Sequence, residues 1–221
     1  MNSVAALDPG SSPTPQLVGI ALILFPSSLF HFPSFCYLAL LAGFAGLRFV
    51  ELWFSSRHQA QLRSEGATKL REPLYPLMVT VHLGLFIGSS LEVTMCHRPF
   101  IPWLGGPMLI LLALCLVGRA WVWQSLGEQW NVQIMTSAHP IVDSGPYRYV
   151  RHPNYTIVIV EMFALPLVHG AYVTAVLCSL ANALVLRERI RLEEAALFLR
   201  PGYTATMATK PRFLPFPTRV R

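Results

Sequence analysis

Apolar runs about as long as a bilayer is thick constrain this chain more than any motif in it. Residues 74–93 and 103–123 are each about 20 residues long, the length a helix needs to cross a hydrocarbon core. Residues 35–54 make a third such run, with Arg48 and Glu51 near its end. In lipid every backbone N–H and C=O must be satisfied within the segment, so each run is expected to be a helix. Composition agrees, because 53% of the residues are hydrophobic and only 13% are charged. Residues 17–32 are shorter and interrupted by Pro26, and predict a short helix in a hairpin with the next run. Residues 155–168 and 171–186 are also short, with Pro166, His169 and Gly170 around their junction. They predict a tight hairpin that dips into the bilayer and returns. The expected fold class is all-α, a polytopic integral membrane protein with about five membrane-embedded helices including this C-terminal hairpin.

A formal net charge of +6 can signal nucleic acid. Here the cations are interrupted by apolar runs and do not line a soluble face, so membrane anchoring explains them better. Residues 55–72 carry Arg57, Arg63, Lys69 and Arg71, residues 124–153 carry Arg148 and Arg151, and residues 187–221 carry eight more Lys or Arg. Arg98 stands alone on the opposite side. The polar segments are therefore expected to face the cytoplasm, with 55–72 as a loop. Arg48 and Glu51 lie three apart on one helix face and predict a packed ion pair turned towards the bundle. His82 predicts a hydrogen-bonded interior histidine, Arg119 snorkels or faces the site, and Trp103, Trp121 and Trp123 fit an aromatic belt.

Cys36, Cys96, Cys115 and Cys178 are scattered singly and predict small buried residues, and no Cys or His spacing suits a metal. Residues 1–16 are rich in Ser and Pro, contain no Lys or Arg, and are expected to be a flexible tail. The organisation expected is this tail, a helical region over 17–123, a functional region over 124–199 and a basic tail over 200–221. That last tail would lie on anionic lipid, at roughly 1 kcal/mol per cation.

Two polar clusters stand out. Residues 145–155 compress Tyr147, Arg148, Tyr149, Arg151, His152 and Tyr155 between Gly145-Pro146 and the start of an apolar run. Gly-Pro favours a turn, and Pro153 is suited to the first turn of a helix, so the segment predicts a rigid elbow at a helix N-terminus. Residues 186–195 then pack Arg187, Glu188, Arg189, Arg191, Glu193 and Glu194 behind another apolar run. On a helix Arg189 and Glu193 share a face. Glu193 can accept hydrogen bonds from a bound cofactor while Arg189 presents its fork to an anion, or the cluster is a solvated helix laced by its own salt bridges.

Together, Tyr147, Arg151-His152-Pro153-Asn154-Tyr155 and Arg189-x-x-x-Glu193-Glu194 resemble the isoprenylcysteine carboxyl methyltransferase family over about residues 130–198. The resemblance implies a membrane-embedded pocket for S-adenosyl-L-methionine without a Rossmann domain, and the sequence contains no GxGxxG. It implies cofactor-contacting positions at Gln133, His139, Val142, Tyr147, His152, Pro153, Asn154, Tyr155 and Glu193, with Arg189 orienting the substrate. Arg151 is expected to brace the elbow against Glu193 or Glu194. Family members methylate the carboxylate of a prenylated cysteine. The run Arg48-Phe49-Val50-Glu51-Leu52, with Arg57, Gly66-Ala67, Tyr75-Pro76 and His82, is similar to bacterial members that methylate the acidic hydroxyl of long-chain alkylpyrones. The partners implied are a lipidic or prenylated acid and membrane lipid. A phospholipid amine N-methyltransferase is a second reading, and it needs a base near the acceptor that the sequence does not reveal. A small transporter or scaffold is a third, with Arg48, Glu51, His82 and Arg119 lining a path, although no inverted repeat is visible.

Overall fold

The computed structural model describes residues 32–136 and 139–214. The tail expected over 1–16, and residues 17–31 of the expected first hairpin, lie outside the described residues. The helices are α1 (Ser34–Ser64), α2 (Tyr75–Met95), α3 (Pro102–Leu126), α4 (Pro153–Leu167), α5 (Tyr172–Leu197) and the short α6 (Tyr203–Met207). The chain is an all-α membrane protein. Of these helices α1, α2 and α3 are long and apolar enough to cross a membrane, and α4 is a shorter apolar helix. Proline marks the first turn of α2, α3 and α4, where the missing N–H costs no hydrogen bond. Phe49, Leu83, Ile87, Ile110, Val117 and Leu180 stand exposed around the bundle. Water would penalise such a surface and lipid does not.

The C-terminal hairpin forms as the sequence predicts. Gly170 turns the chain at φ +70, and the Ala171 N–H donates to the Pro166 carbonyl at 3.0 Å. The hairpin is locked from outside by α2. The Glu92 carboxylate accepts from the N–H groups of Val173 (3.1 Å) and Thr174 (2.9 Å), two donors that the first turn of α5 cannot satisfy internally. α3 packs on α4, α4 on α5 and α5 on α2, while α1 leans on α2.

One boundary differs from expectation. Residues 55–64 are not loop but a continuation of α1, which runs to Ser64 and stops ahead of Gly66 at φ +88. The extension persists because its polar side chains have a partner surface. Ser55 accepts from the Val132 N–H at 3.0 Å, His58 Nδ1 meets the Trp130 carbonyl at 2.8 Å, and Gln61 donates to Glu128 at 2.7 Å. Beyond it, strands β1 (Thr68–Lys69) and β2 (Met135–Thr136) pair antiparallel and fix the 127–136 segment over the bundle end. The cysteines are all free, but only Cys115 is buried, and Cys96 is exposed at the end of α2.

Candidate active site

The elbow is built as its composition demands. Gly145 adopts φ +57, and a Cβ there would collide with the Ser125 side chain, so this turn admits glycine alone. Residues 145–148 form one 3₁₀ turn, and α4 starts at Pro153. His152 is buried, its ring stacked on Tyr155 at a centroid distance of 5.3 Å. Its Nε2 lies 3.1 Å from Glu194 Oε1 and its Nδ1 3.6 Å from Glu193 Oε2. Arg151 Nη1 lies 3.3 Å from Glu194 Oε1, the brace expected of it.

The polar end of α5 faces the elbow across the hairpin, because α4 and α5 run antiparallel from one tight turn. Arg189 is buried and fully engaged: Nε donates to the Tyr155 hydroxyl at 2.8 Å, Nη1 lies 3.3 Å from Glu72 Oε2 and 2.9 Å from Met78 Sδ, and Nη2 donates to the Val132 carbonyl. Glu72 in turn accepts from the Ile134 N–H at 2.7 Å. Arg189 therefore joins α5, α4, α2 and the 127–136 segment. Glu194 is held below the usual carboxylate range, since burial raises it but hydrogen bonds from Arg212 and His152 and the charge of Arg151 outweigh that.

Between these groups lies a cavity of about 400 Å³, within the range of small-molecule sites. Gln133, Val142, Tyr147, His152, Asn154, Tyr155, Arg189 and Glu193 line it. The structure therefore brings together eight of the ten residues singled out by sequence. The other two, His139 and Pro153, are not among the lining residues. His139 Nε2 instead lies 2.5 Å from Glu65 Oε2, and its carbonyl accepts from Arg200. Two buried acceptors in the wall, Glu193 Oε2 and Asn154 Oδ1, have no hydrogen-bond partner in the protein. Around them stand phenol donors. Burial, with the Glu193 charge second, pushes Tyr203 up to about 12 and Tyr147 higher still, so both keep their protons at neutral pH.

The cavity is polar at one end and apolar at the other. It continues from the elbow past Met78 and His82 to Ala45, Phe49 and Leu52 on α1 and Val79, Leu83 and Phe86 on α2. Phe49 is 72% and Leu83 54% exposed, so this end opens on the lipid-facing surface. Beside it, Arg48 and Glu51 pair as predicted, but within a larger group. Arg119 donates to Glu51 at 2.6 Å and to Glu161 at 2.5 Å, and Arg48 reaches Glu161 as well. Two cations thus balance two carboxylates at membrane depth. Arg119 faces the site and does not snorkel. His82 is the interior histidine expected, with Nδ1 2.8 Å from the Met78 carbonyl, and its ring lines the cavity.

Sequence reasoning missed Glu161, Glu72, Asn182 and the residues beyond 199. Glu161 had a signal, a lone acid inside an apolar run, which demands a partner. Asn182, an amide buried in the apolar run 171–186, had a weaker one of the same kind, and Glu72 and the residues beyond 199 had none. Arg200, Tyr203 and Met207, in the tail expected to lie on lipid, line the cavity.

Fold and site define an all-α membrane protein with a polar-to-apolar cavity walled by an elbow and a charged helix end, with no nucleotide-binding domain among the described residues. Residues 108–199 match the isoprenylcysteine carboxyl methyltransferase (ICMT) family. Over 151 residues, 68% of this chain and 89% of the relative, the sequence is 34% identical to the uncharacterized protein YpbQ of Bacillus subtilis. It is 30% identical over 156 residues, 68% of this chain and 88% of the relative, to an uncharacterized protein of Haemophilus influenzae. The chain belongs to the isoprenylcysteine carboxyl methyltransferase family and is a membrane methyltransferase.

Proposed function

We propose that the protein transfers a methyl group from S-adenosylmethionine to an acidic oxygen, carboxylate, enolate or phenolate, of a lipid whose tail lies between α1 and α2. The observation that carries this reading is the single cavity that joins unpartnered polar acceptors at the elbow to exposed apolar residues on α1 and α2. The cofactor's ammonium and hydroxyl groups are donors, and Glu193 Oε2 and Asn154 Oδ1 are the acceptors that lack them. Arg151 and Arg200 line the same end and suit its carboxylate. When bound, S-adenosylmethionine supplies an electrophilic methyl group on a sulfonium. Val142, Tyr147, His152 and Tyr155 would enclose it and exclude water.

The acceptor is an anion, so the protein's work is to desolvate it and hold it in line. Arg189, sited between the elbow and His82, offers the positive charge for that. Phe49, Leu52, Leu83 and Phe86 would take the tail, where each buried methylene contributes about 0.8 kcal/mol. Charge supports a cytoplasmic site: Arg57, Arg63, Lys69 and Arg71 lie at the elbow's end of the bundle, while the connections at the other end hold Arg98 alone among the described residues. A phospholipid amine is the second reading, because His82 lines the cavity and is the kind of base an amine requires. The arginines around the cavity count against a cationic head.

The test offers detergent-purified protein methyl-labelled S-adenosylmethionine together with an alkylpyrone, a prenylcysteine or phosphatidylethanolamine. Label in either acidic lipid is expected. Label in phosphatidylethanolamine alone overturns the acidic-oxygen reading.

A further inference from the structure

The tail beyond the family's matched segment is stitched onto the elbow. The Arg151 N–H donates to the Pro211 carbonyl at 2.9 Å and the His152 N–H to the Arg212 carbonyl at 3.0 Å. Thr156 Oγ1 donates to the Phe213 carbonyl at 3.2 Å. Lys210 pairs with Asp143 and donates to the Tyr147 carbonyl at 2.9 Å. The contact is therefore a short stretch of backbone pairing with a clamp at its start.

The side chain of Arg212 closes a ring of bonds. Its Nε donates to Glu194 Oε1 at 3.0 Å and its Nη2 to Glu194 Oε2 at 2.6 Å, a two-point grip on one carboxylate. Glu194 Oε1 also meets His152 Nε2 at 3.1 Å. His152 is thus held twice by one residue, through its backbone N–H by the Arg212 carbonyl and through its ring by way of Glu194. When the Nε2–H donates to Glu194, the Nδ1 lone pair is turned towards Glu193 Oε2, 3.6 Å away, and leaves that acceptor without a donor from His152.

We propose that Arg212 is a positioning residue of the cofactor site, setting the ring angle and tautomer of His152 through Glu194. This rests on the methyltransferase reading above. The tail from Arg200 to Phe213 is then part of the site, and its release would loosen the elbow at the edge of the cavity. Glu194 does this only as an anion. The groups around it are Arg151 and His152 from the elbow, Arg212 from the tail, Tyr203 from α6 and Glu193 beside it on α5. Its carboxyl lies below the usual range, so the ring of bonds is intact above about pH 4.5 and opens as the pH falls through the lowered value. Removing the Arg212 guanidinium removes the leading cause of that lowering, and the opening moves to higher pH.

The experiment titrates S-adenosylmethionine calorimetrically into detergent-purified full-length wild type, Arg212→Ala, Arg212→Lys and, as control, Arg191→Ala, whose guanidinium pairs with Glu188 on the exposed side of α5. Arg212→Ala is expected to bind about tenfold more weakly, the loss typical of one charge-assisted contact. Its KM for cofactor rises in step while KM for the acceptor stays put, and the acid limb of its affinity shifts to higher pH. Arg212→Lys keeps the cation and recovers part of the loss, and it decides the matter should the alanine variant not fold. Arg191→Ala binds as wild type. Wild-type affinity in Arg212→Ala, or in Arg212→Lys if only that variant folds, overturns the positioning role and leaves the methyltransferase reading standing. Failure of the wild type to bind overturns both.

Discussion

Arg189 shows how far a residue's role can be read before its partners are known. Spacing alone left its guanidinium either a substrate clamp or one member of a solvated salt-bridge helix. The solvated helix does not describe the side chain, which is buried, bound to Tyr155, Glu72, Met78 and Val132, and part of the cavity wall. Replacing it with alanine strands the Glu72 carboxylate, a loss of about 3–5 kcal/mol for a broken buried pair. Arg189→Ala therefore lowers both melting temperature and turnover. Pairing Arg189→Met with Glu72→Gln removes the stranded charge. The double variant is expected to regain most of its melting temperature while turnover stays down at least tenfold. Recovered turnover would confine Arg189 to bracing. His152, Asn154 and Tyr155 were singled out by the family's spacing alone and Glu193 also by its i,i+4 relation to Arg189, and all four line the cavity. Glu72 was not legible, since its function depends on a long-range contact with α5 that no local pattern encodes.

At the scale of elements, helix starts were legible, α4 from Pro153 and α2 and α3 to within a residue from the apolar runs at 74–93 and 103–123. Helix ends were less so. α1 outlasts its apolar run because Ser55, His58 and Gln61 find partners in the 127–136 segment, a tertiary effect that overrides composition. Lys210 and Arg212 in the tail were illegible for the same reason, as they read as anchors until Asp143 and Glu194 appear opposite them. The elbow's turn makes a sharp prediction. Gly145→Ala forces a side chain into a positive φ and into Ser125, and should cost at least about 1–2 kcal/mol. Thermal unfolding measures that cost, and cofactor affinity should fall with it. An unchanged melting temperature would mean that the elbow tolerates another turn.

For the whole molecule, the fold class followed from run length alone, and the match over residues 108–199 extends the 130–198 resemblance to include most of α3. What no sequence pattern foretold is that the polar end and the lipid-facing end belong to one cavity, because its wall draws on all six helices and the connections 127–136 and 141–152 at once. The two ends should be separable by mutation. Leu83→Trp narrows the gap between α1 and α2, far from the elbow, and is expected to raise KM for a long-chain acceptor several-fold without changing affinity for S-adenosylmethionine. Steady-state kinetics against acceptors of graded chain length checks it, and equal effects on all of them would argue against a tail site there.

The central claim is that Glu193 and its neighbours bind the methyl donor at the polar end of that cavity. Its most direct test is a calorimetric titration of S-adenosylmethionine into detergent-purified wild type beside Glu193→Ala, with thermal unfolding to establish that both are folded. Glu193 is only partly buried and its Oε2 has no hydrogen-bond partner in the protein, so the variant should fold normally. Binding by the wild type, lost or weakened at least 100-fold in folded Glu193→Ala, is the result predicted. Equal binding by the two proteins would contradict the assignment of Glu193, and no binding by folded wild type would contradict the cofactor site itself.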